Sequence, residues 1–128
     1  MDRQKSTAIR KTLDQIGVKH NIKGYSYIIR AIEMCLEDRN KLNYIVKGIY
    51  AEIAQENNDK VTNVERAMRH AIEVSWKQGN LALINRIFGY TVSSDKGKPT
   101  NSEFVALITD FISLYWEEIA NDSYKWQE

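Results

Sequence analysis

An all-α domain of six helices, containing a helix-turn-helix, is the fold that this sequence predicts. Apolar residues recur at helical spacing, without the strict alternation of half-buried strands. There is one proline, Pro99, and turn-favouring residues separate the periodic segments. With 128 residues, 43% of them hydrophobic and 27% charged, the chain can bury one core. We therefore expect a single domain covering residues 1–128.

The first three predicted helices occupy the N-terminal half of the chain. The first covers Thr7–Ile16 and ends at Gly17, a residue type that suits a helix C-terminus. The second covers Tyr25–Glu37 and the third Asn43–Glu56, each with a stripe of apolar residues along one face. The polar run at residues 57–60 favours a turn and should end the third helix.

Two capping boxes predict where the fourth and the last helices begin. In Thr62–Glu65 and in Thr100–Glu103, a threonine stands three residues before a glutamate, so each side chain can satisfy a free N–H of the first turn. The fourth helix is therefore expected over residues 62–78, closed by a glycine. A short fifth helix is expected at Leu81–Phe88, and the last at Ser102–Ala120, after a loop at residues 90–98.

Helices three and four form the helix-turn-helix candidate. One side of helix four is small and apolar, as docking on helix three would require, and carries Val64, Ala67, Met68, Ala71, Ile72 and Ser75. The opposite side is polar and carries Arg66, Arg69, His70, Glu73 and Lys77. Long donors near the start of such a helix suit the major groove, where an arginine fork matches the O6 and N7 acceptors of guanine.

Structural interpretations of the same residues stay open at this point. Amphipathic helices with two arginines are common in proteins that bind no DNA. Glu65 can serve only as a helix cap, and His70 can be a surface or packing histidine with no ligand. The net charge of +1 and the isoelectric point near 7.8 are low for a nucleic-acid-binding domain. The turn is also long and poor in glycine.

The distribution of charge is more informative than its sum. Residues 1–30 carry seven Lys or Arg against two Asp, whereas residues 111–128 carry four acidic residues against Lys125 alone. Such an asymmetry can steer a polyanion, and it is equally typical of a solvated helix face. The N-terminus has no apolar stretch of a signal peptide, and no apolar run reaches the length of about 20 residues of a membrane span. We expect a cytoplasmic protein without membrane contact.

Patterns typical of enzymes and metal sites are absent. The sequence has no glycine-rich phosphate loop, no H-E-x-x-H and no serine elbow, so we expect no catalytic residue, cofactor or metal. Cys35, the only cysteine, lies on an apolar helical stripe and should be a buried, unreactive thiol. His20 lies in a basic loop without an evident partner. The three tryptophans should pack in the core or at an interface.

Five segments resemble one known family. Val64–Trp76 is similar to the recognition helix in the C-terminal effector domains of the sporulation master regulator, the stage zero sporulation protein A family. Shorter matches stand in the family's order and bring the resemblance to about residues 10–112: Gln15–Val18, Ile22–Tyr25, Phe88–Ser93 and Lys98–Phe104.

The resemblance implies a six-helix transcription factor that binds short boxes in double-stranded DNA, related to TGTCGAA, often as a tandem dimer. It also implies contact with an RNA polymerase sigma subunit. Carried over by position, Arg66 and Arg69 would read bases, and Glu65 and His70 would be further contacts at the groove. Asn63 on the same helix is expected at the DNA, and Lys98 and Ser102 would lie near phosphates.

The sequence departs from the family in two respects. The family's regulators carry an N-terminal receiver domain, and the resemblance here begins within the first dozen residues. We therefore expect an excised effector domain or a free-standing relative without phosphorelay control. The match is poor at residues 57–62 and after Ile112. Two functions follow as hypotheses: a sequence-specific transcriptional regulator without enzymatic activity, and a protein-interaction module of the same fold that acts on a regulator or sigma subunit.

Overall fold

The computed structural model describes residues 1–89 and 97–127, and this part of the chain is helical, with no strand among those residues. The α-helices are α1 (Arg3–Ile16), α2 (Gly24–Glu37), α3 (Ala51–Glu56), α4 (Val61–Gln78), α5 (Leu81–Phe88) and α6 (Asn101–Ala120). A 3-10 helix (Arg39–Tyr44) and a π-helical turn (Val46–Tyr50) lead from α2 into α3. The predicted all-α class is confirmed. Most of the predicted loop at residues 90–98 lies outside the described residues.

Capping explains where most helices begin and end. Asp2 accepts a hydrogen bond from the backbone of Gln4 at 2.7 Å, so α1 begins four residues before the predicted Thr7. It ends as predicted at Gly17, whose φ of 100° a side chain would oppose. The Thr100–Glu103 box is confirmed, since both of its reciprocal hydrogen bonds form at the start of α6.

The third helix was predicted as one regular element, and this is wrong. The Asp38 carboxylate accepts a hydrogen bond from the backbone of Asn40 and starts a 3-10 helix there. The ring of Tyr44 lies directly against Gly48, where a Cβ atom would come within 2.6 Å of it. Only the last six residues of the predicted span, Ala51–Glu56, form a regular α-helix.

The predicted capping box at the start of the fourth helix is also wrong. The helix begins at Val61, because the backbone N–H of Val64 already donates to the carbonyl of Lys60 at 3.0 Å. Thr62 therefore lies inside the first turn, and the N-cap residue Lys60 provides no side-chain bond. Because this capping box does not form, Glu65 does not act as a helix cap.

One hydrophobic core lies between α1, α2, α4 and α6. Its largest fully buried side chains come from every long helix: Ile9, Leu13, Ile16, Ile28, Ile32, Met34, Ile49, Ile53, Met68, Ile72, Ile84 and Phe104. Cys35 is buried as predicted, with 2% of its surface exposed. The tryptophans pack against this core as predicted, Trp76 with its ring edge-on to Phe88 at 5.1 Å between centroids.

The apolar face of α4 docks mainly on α2, and it also contacts α3 and the π-helical turn, which lie within the predicted third helix. Val64, Met68, Ala71, Ile72 and Ser75 are buried there as predicted, and Ala67 is partly buried. The two helices cross at Gly24, where an added Cβ would come within 2.0 Å of the carbonyl oxygen of Ala67. Such an approach needs small residues on both helices, and here they are Gly24 on α2 and Ala67 and Ala71 on α4.

The chain after α6 folds back over α5. The guanidinium of Arg86 donates hydrogen bonds to the carbonyls of Trp126 and Lys125, at 2.7 and 3.1 Å, and to the hydroxyl of Tyr124 at 3.0 Å. The rings of Tyr124 and Trp126 pack against each other and against Phe111 of α6. We call residues 121–127, held in this way, the C-terminal strap.

Candidate nucleic-acid interface

The polar face of α4 is exposed along the whole helix. Asn63, Arg66, Arg69, His70 and Lys77 are all exposed, opposite the side chains that anchor the helix in the core. Since the apolar face packs closely against α2 at Gly24, the polar face points away from the core. This is the division that a DNA-reading helix requires.

The two arginines of this face differ in their surroundings. Arg69 lies 3.6 Å from the carboxylate of Glu65, one turn earlier on the same helix. Within the described part of the chain, no carboxylate is paired with Arg66. Its guanidinium therefore has all of its donors available for a ligand.

The start of α6 lies beside α4 and forms a groove of about 290 Å³ with it. The groove is lined by Tyr50, Glu65, Arg69, Lys98, Pro99, Thr100, Asn101 and Ser102. Asn101 is nearly buried and donates to the hydroxyl of Tyr50 at 3.0 Å and to the carbonyl of Glu65 at 3.1 Å. These two bonds hold the N-terminus of α6 next to the polar face of α4.

Lys98 is held at the same edge by an ion pair. Its ammonium donates to the carboxylate of Glu73 on α4, and both side chains stay about one third exposed. The ammonium lowers the pKa of Glu73, with smaller contributions from Lys77 and Arg69. The segment before α6 is thereby tied to the middle of α4.

The turn before α4 is organised by one carboxylate. Asp59 accepts hydrogen bonds from the hydroxyl of Tyr27 at 2.6 Å and from the side chain of Asn63 at 2.9 Å, and the ammonium of Lys23 lies 2.9 Å away. It also accepts from the backbone N–H of Lys60. These contacts, led by those with Tyr27 and Lys23, hold the pKa of Asp59 well below its usual range.

The structure thus brings the residues selected from the sequence to one side of the molecule in two groups. Asn63, Arg66, Arg69 and His70 share the exposed face of α4, while Glu65, Lys98 and Ser102 line the groove beside it. The sequence analysis missed Tyr50, Asn101 and Asp59. Their partners are 51, 36 and 32 residues away along the chain, and no local pattern signals such contacts.

His20 has a partner that the sequence did not reveal. Its imidazole lies in hydrogen-bond contact with the carboxylate of Asp14 and stacks on the ring of Tyr25, with 4.4 Å between centroids. The hydroxyl of Tyr25 donates to the same carboxylate at 3.1 Å. These contacts of the exposed His20 join the end of α1 to the start of α2 at the surface.

Two further findings concern other kinds of site. Among residues 1–89 and 97–127, no cluster of three or more His, Cys, Asp or Glu side chains could hold a metal ion. None of the helices in that part of the chain has the length and apolar character needed to cross a membrane.

A comparison with protein families places most of this chain in one family. The family model described as "Sporulation initiation factor Spo0A C terminal" matches residues 9–112, which include the exposed face of α4 and the start of α6. The match covers more than four fifths of the chain and ends before the C-terminal strap. The protein belongs to this family, the C-terminal DNA-binding domains of a sporulation regulator.

Proposed function

We propose that this protein is a sequence-specific regulator of transcription that inserts α4 into the major groove of double-stranded DNA. The observation that carries the proposal is the exposed polar face of α4, opposite a face fixed in the core, in a chain of this family. A major groove about 12 Å wide accepts one helix and presents a distinct donor and acceptor pattern for each base pair.

Arg66 and Arg69 are the proposed base readers. Both are exposed in the first half of α4, which is the part of a recognition helix that meets base edges. Arg66, with no carboxylate beside it in the described residues, is the stronger candidate for a bidentate contact with guanine. Glu65, His70 and Asn63 flank the arginines along the helix and are proposed as further contacts at the groove.

Lys98 and Ser102 are the proposed phosphate contacts. They stand at the start of α6, and the bonds of Asn101 hold this helix end beside α4. Backbone N–H groups, a hydroxyl and an ammonium are the usual donors to phosphate oxygens. The near-neutral net charge does not exclude this function, because a local field can steer a polyanion even where the sum of the charges is small.

The experiment that tests the proposal is a binding titration on two fluorescent duplexes of equal length. One contains a box related to TGTCGAA, and the other contains the same bases in scrambled order. Measured at two salt concentrations, binding should be tighter on the box, and affinity for both duplexes should fall as salt rises. Equal affinity for the two duplexes at both concentrations would contradict sequence-specific recognition.

A protein-interaction module is the second candidate function. It is favoured by exposed apolar side chains on a part of the surface away from the polar face of α4. Leu114 and Tyr115 on α6 are 72% and 39% exposed, beyond the residues that the family model matches. Such side chains suit a protein partner better than a phosphate backbone. The proposed partner is a regulator or an RNA polymerase sigma subunit. Capture of a sigma subunit by the wild type but not by Leu114→Ser, with no box preference, would favour this function.

A further inference from the structure

Lys98, the proposed phosphate contact, already forms an ion pair with a carboxylate of the protein itself. Its ammonium lies against the Glu73 carboxylate, whereas Arg69 is 3.6 Å from its own partner, Glu65. The Lys98–Glu73 pair is therefore the closer of the two, and it joins two separate elements. An ion pair between neighbouring residues of one helix would not restrain the segment before α6.

Glu73 also lies among cations on its own helix. Arg69 and Lys77 stand one turn before and one turn after it, and both act with Lys98 to lower its pKa. The carboxylate therefore stays ionised at neutral pH. With 37% of its side chain exposed, it lies at the surface that a DNA backbone would approach.

We propose that Glu73 sets the sequence-independent part of DNA affinity by competing with backbone phosphates for the ammonium of Lys98. The inference rests on the proposed function. In the free protein the carboxylate takes the position of a phosphate oxygen. When DNA binds, Lys98 exchanges this partner for a phosphate, and the released carboxylate remains close to a polyanion. Both effects weaken binding to any sequence.

The competition acts on phosphate contact and not on base reading. Arg66 is paired with no carboxylate in the described part of the chain, and the ion-pair partner of Arg69 is Glu65 and not Glu73. Neither proposed base reader therefore loses an ion-pair partner when Glu73 is changed. Removing the Glu73 charge should therefore raise affinity for every duplex by the same factor. The ratio between the cognate and scrambled duplexes should stay unchanged.

The test compares wild type, Glu73→Gln, Lys98→Ala and the double variant on both duplexes across a salt series. Glu73→Gln should bind both duplexes about two- to fivefold more tightly, the range expected for loss of one exposed ion pair. The logarithmic salt slope should stay close to that of wild type, because Lys98 makes one phosphate contact in the complex of both proteins. In proteins that already carry Lys98→Ala, adding Glu73→Gln should produce less than half of the gain in binding free energy that it produces in the wild-type background.

A charge-matched control separates local competition from general repulsion. Glu117→Gln removes the same charge from the exposed surface of α6, about 24 Å from its start by helical rise. This substitution should leave affinity for both duplexes nearly unchanged, in the wild-type background and in the Lys98→Ala background alike. Helical content of each variant, measured by circular dichroism, confirms that the fold is intact.

A measurement without DNA tests the pair directly. Mild amine acetylation followed by peptide mass spectrometry should modify Lys98 faster in Glu73→Gln than in wild type, while Lys19 reacts equally in both. An equal gain in affinity with and without Lys98, or unchanged labelling of Lys98, would overturn the inference. A changed ratio between the duplexes would instead make Glu73 a base reader. If wild type binds neither duplex, the proposed function fails and this inference fails with it, whatever the labelling shows.

Discussion

Gly24 at the start of α2 lies so close to Ala67 of α4 that no side chain fits between the two helices. A Cβ atom on Gly24 would come within 2.0 Å of the Ala67 carbonyl oxygen and 2.9 Å of the Ala71 Cβ. The first of these atoms belongs to the backbone of a helix, so it cannot move without moving α4. The position of the proposed recognition helix is therefore set by backbone contact, and changes at this crossing should have large effects.

We expect Gly24→Ala to lower the free energy of unfolding by about 1–3 kcal/mol or more, because the added methyl group overpacks the crossing. Ala71→Leu, which enlarges the other side of the same contact, should cost a similar amount, about 1–3 kcal/mol. Urea unfolding followed by circular dichroism measures both. Gly48→Ala is the control, since its Cβ would clash with the exposed ring of Tyr44, which can turn away, and would meet the backbone only at an ordinary contact distance of 3.5 Å. A Gly24→Ala protein as stable as wild type would contradict the crossing.

Arg66 variants separate base reading from phosphate contact. Arg66→Ala should cost about 1–3 kcal/mol on the cognate box and relax the preference at one base pair. Arg66→Lys keeps the charge but loses the planar fork, so it should reduce the box preference more than the affinity for scrambled DNA. Both are measured by titration of duplexes with single base-pair changes.

Lys98→Ala is the matched comparison for those variants. It should weaken all duplexes similarly and reduce the salt slope by about one. If Arg66→Ala instead lowers binding equally on cognate and scrambled duplexes, Arg66 contacts phosphates and reads no base.

Asp59 should make stability depend on pH in the acid range. Its carboxylate, held by Tyr27, Lys23 and Asn63, has a lower pKa in the folded protein than in the unfolded chain, where it is about 3.9. The stabilisation is therefore complete at neutral pH and is lost as pH falls below about 4. Urea unfolding should show wild type more stable than Asp59→Asn at pH 7, with the difference closing under acid conditions. A difference that stays constant down to pH 3 would show that ionisation of Asp59 does not stabilise the fold.

Cys35 should react with thiol reagents only after unfolding. Burial raises the pKa of its thiol to about 11, so the reactive thiolate is scarce at pH 8, and only 2% of the residue is exposed. Labelling with a chromogenic disulfide should be slow in the native protein and rapid in denaturant. Rapid labelling of the folded protein would show that α2 opens locally, or that the thiol is not buried.

Local patterns predicted the elements that local interactions determine. The fifth helix matches its predicted bounds, the Gly17 terminus and the Thr100–Glu103 box formed as expected, and the buried residues of α4 followed from helical periodicity. Each of these depends on residues within one or two helical turns of each other, where spacing alone determines which side chains meet.

The predictions that failed depend on contacts between distant segments. Thr62 offered a plausible N-cap, but the Asp59 carboxylate, held by Tyr27 of α2, orders the turn before it, and the helix begins earlier. Docking of α4 was assigned to the nearest preceding helix, whereas the small residue that permits close approach lies on α2 at Gly24. The candidate site shows the same division. Its exposed arginines could be predicted from helical periodicity, but the carboxylate that occupies Lys98 could not.

The contacts that Arg86 makes with the C-terminal strap bear on how relatives of this protein should be compared. Two of its three acceptors, at Lys125 and Trp126, are main-chain carbonyls, which any residue at those positions would supply. An alignment records side chains and is blind to such acceptors. The family match ends at residue 112, and the sequence similarity that it measures therefore does not bear on tails held through main-chain acceptors.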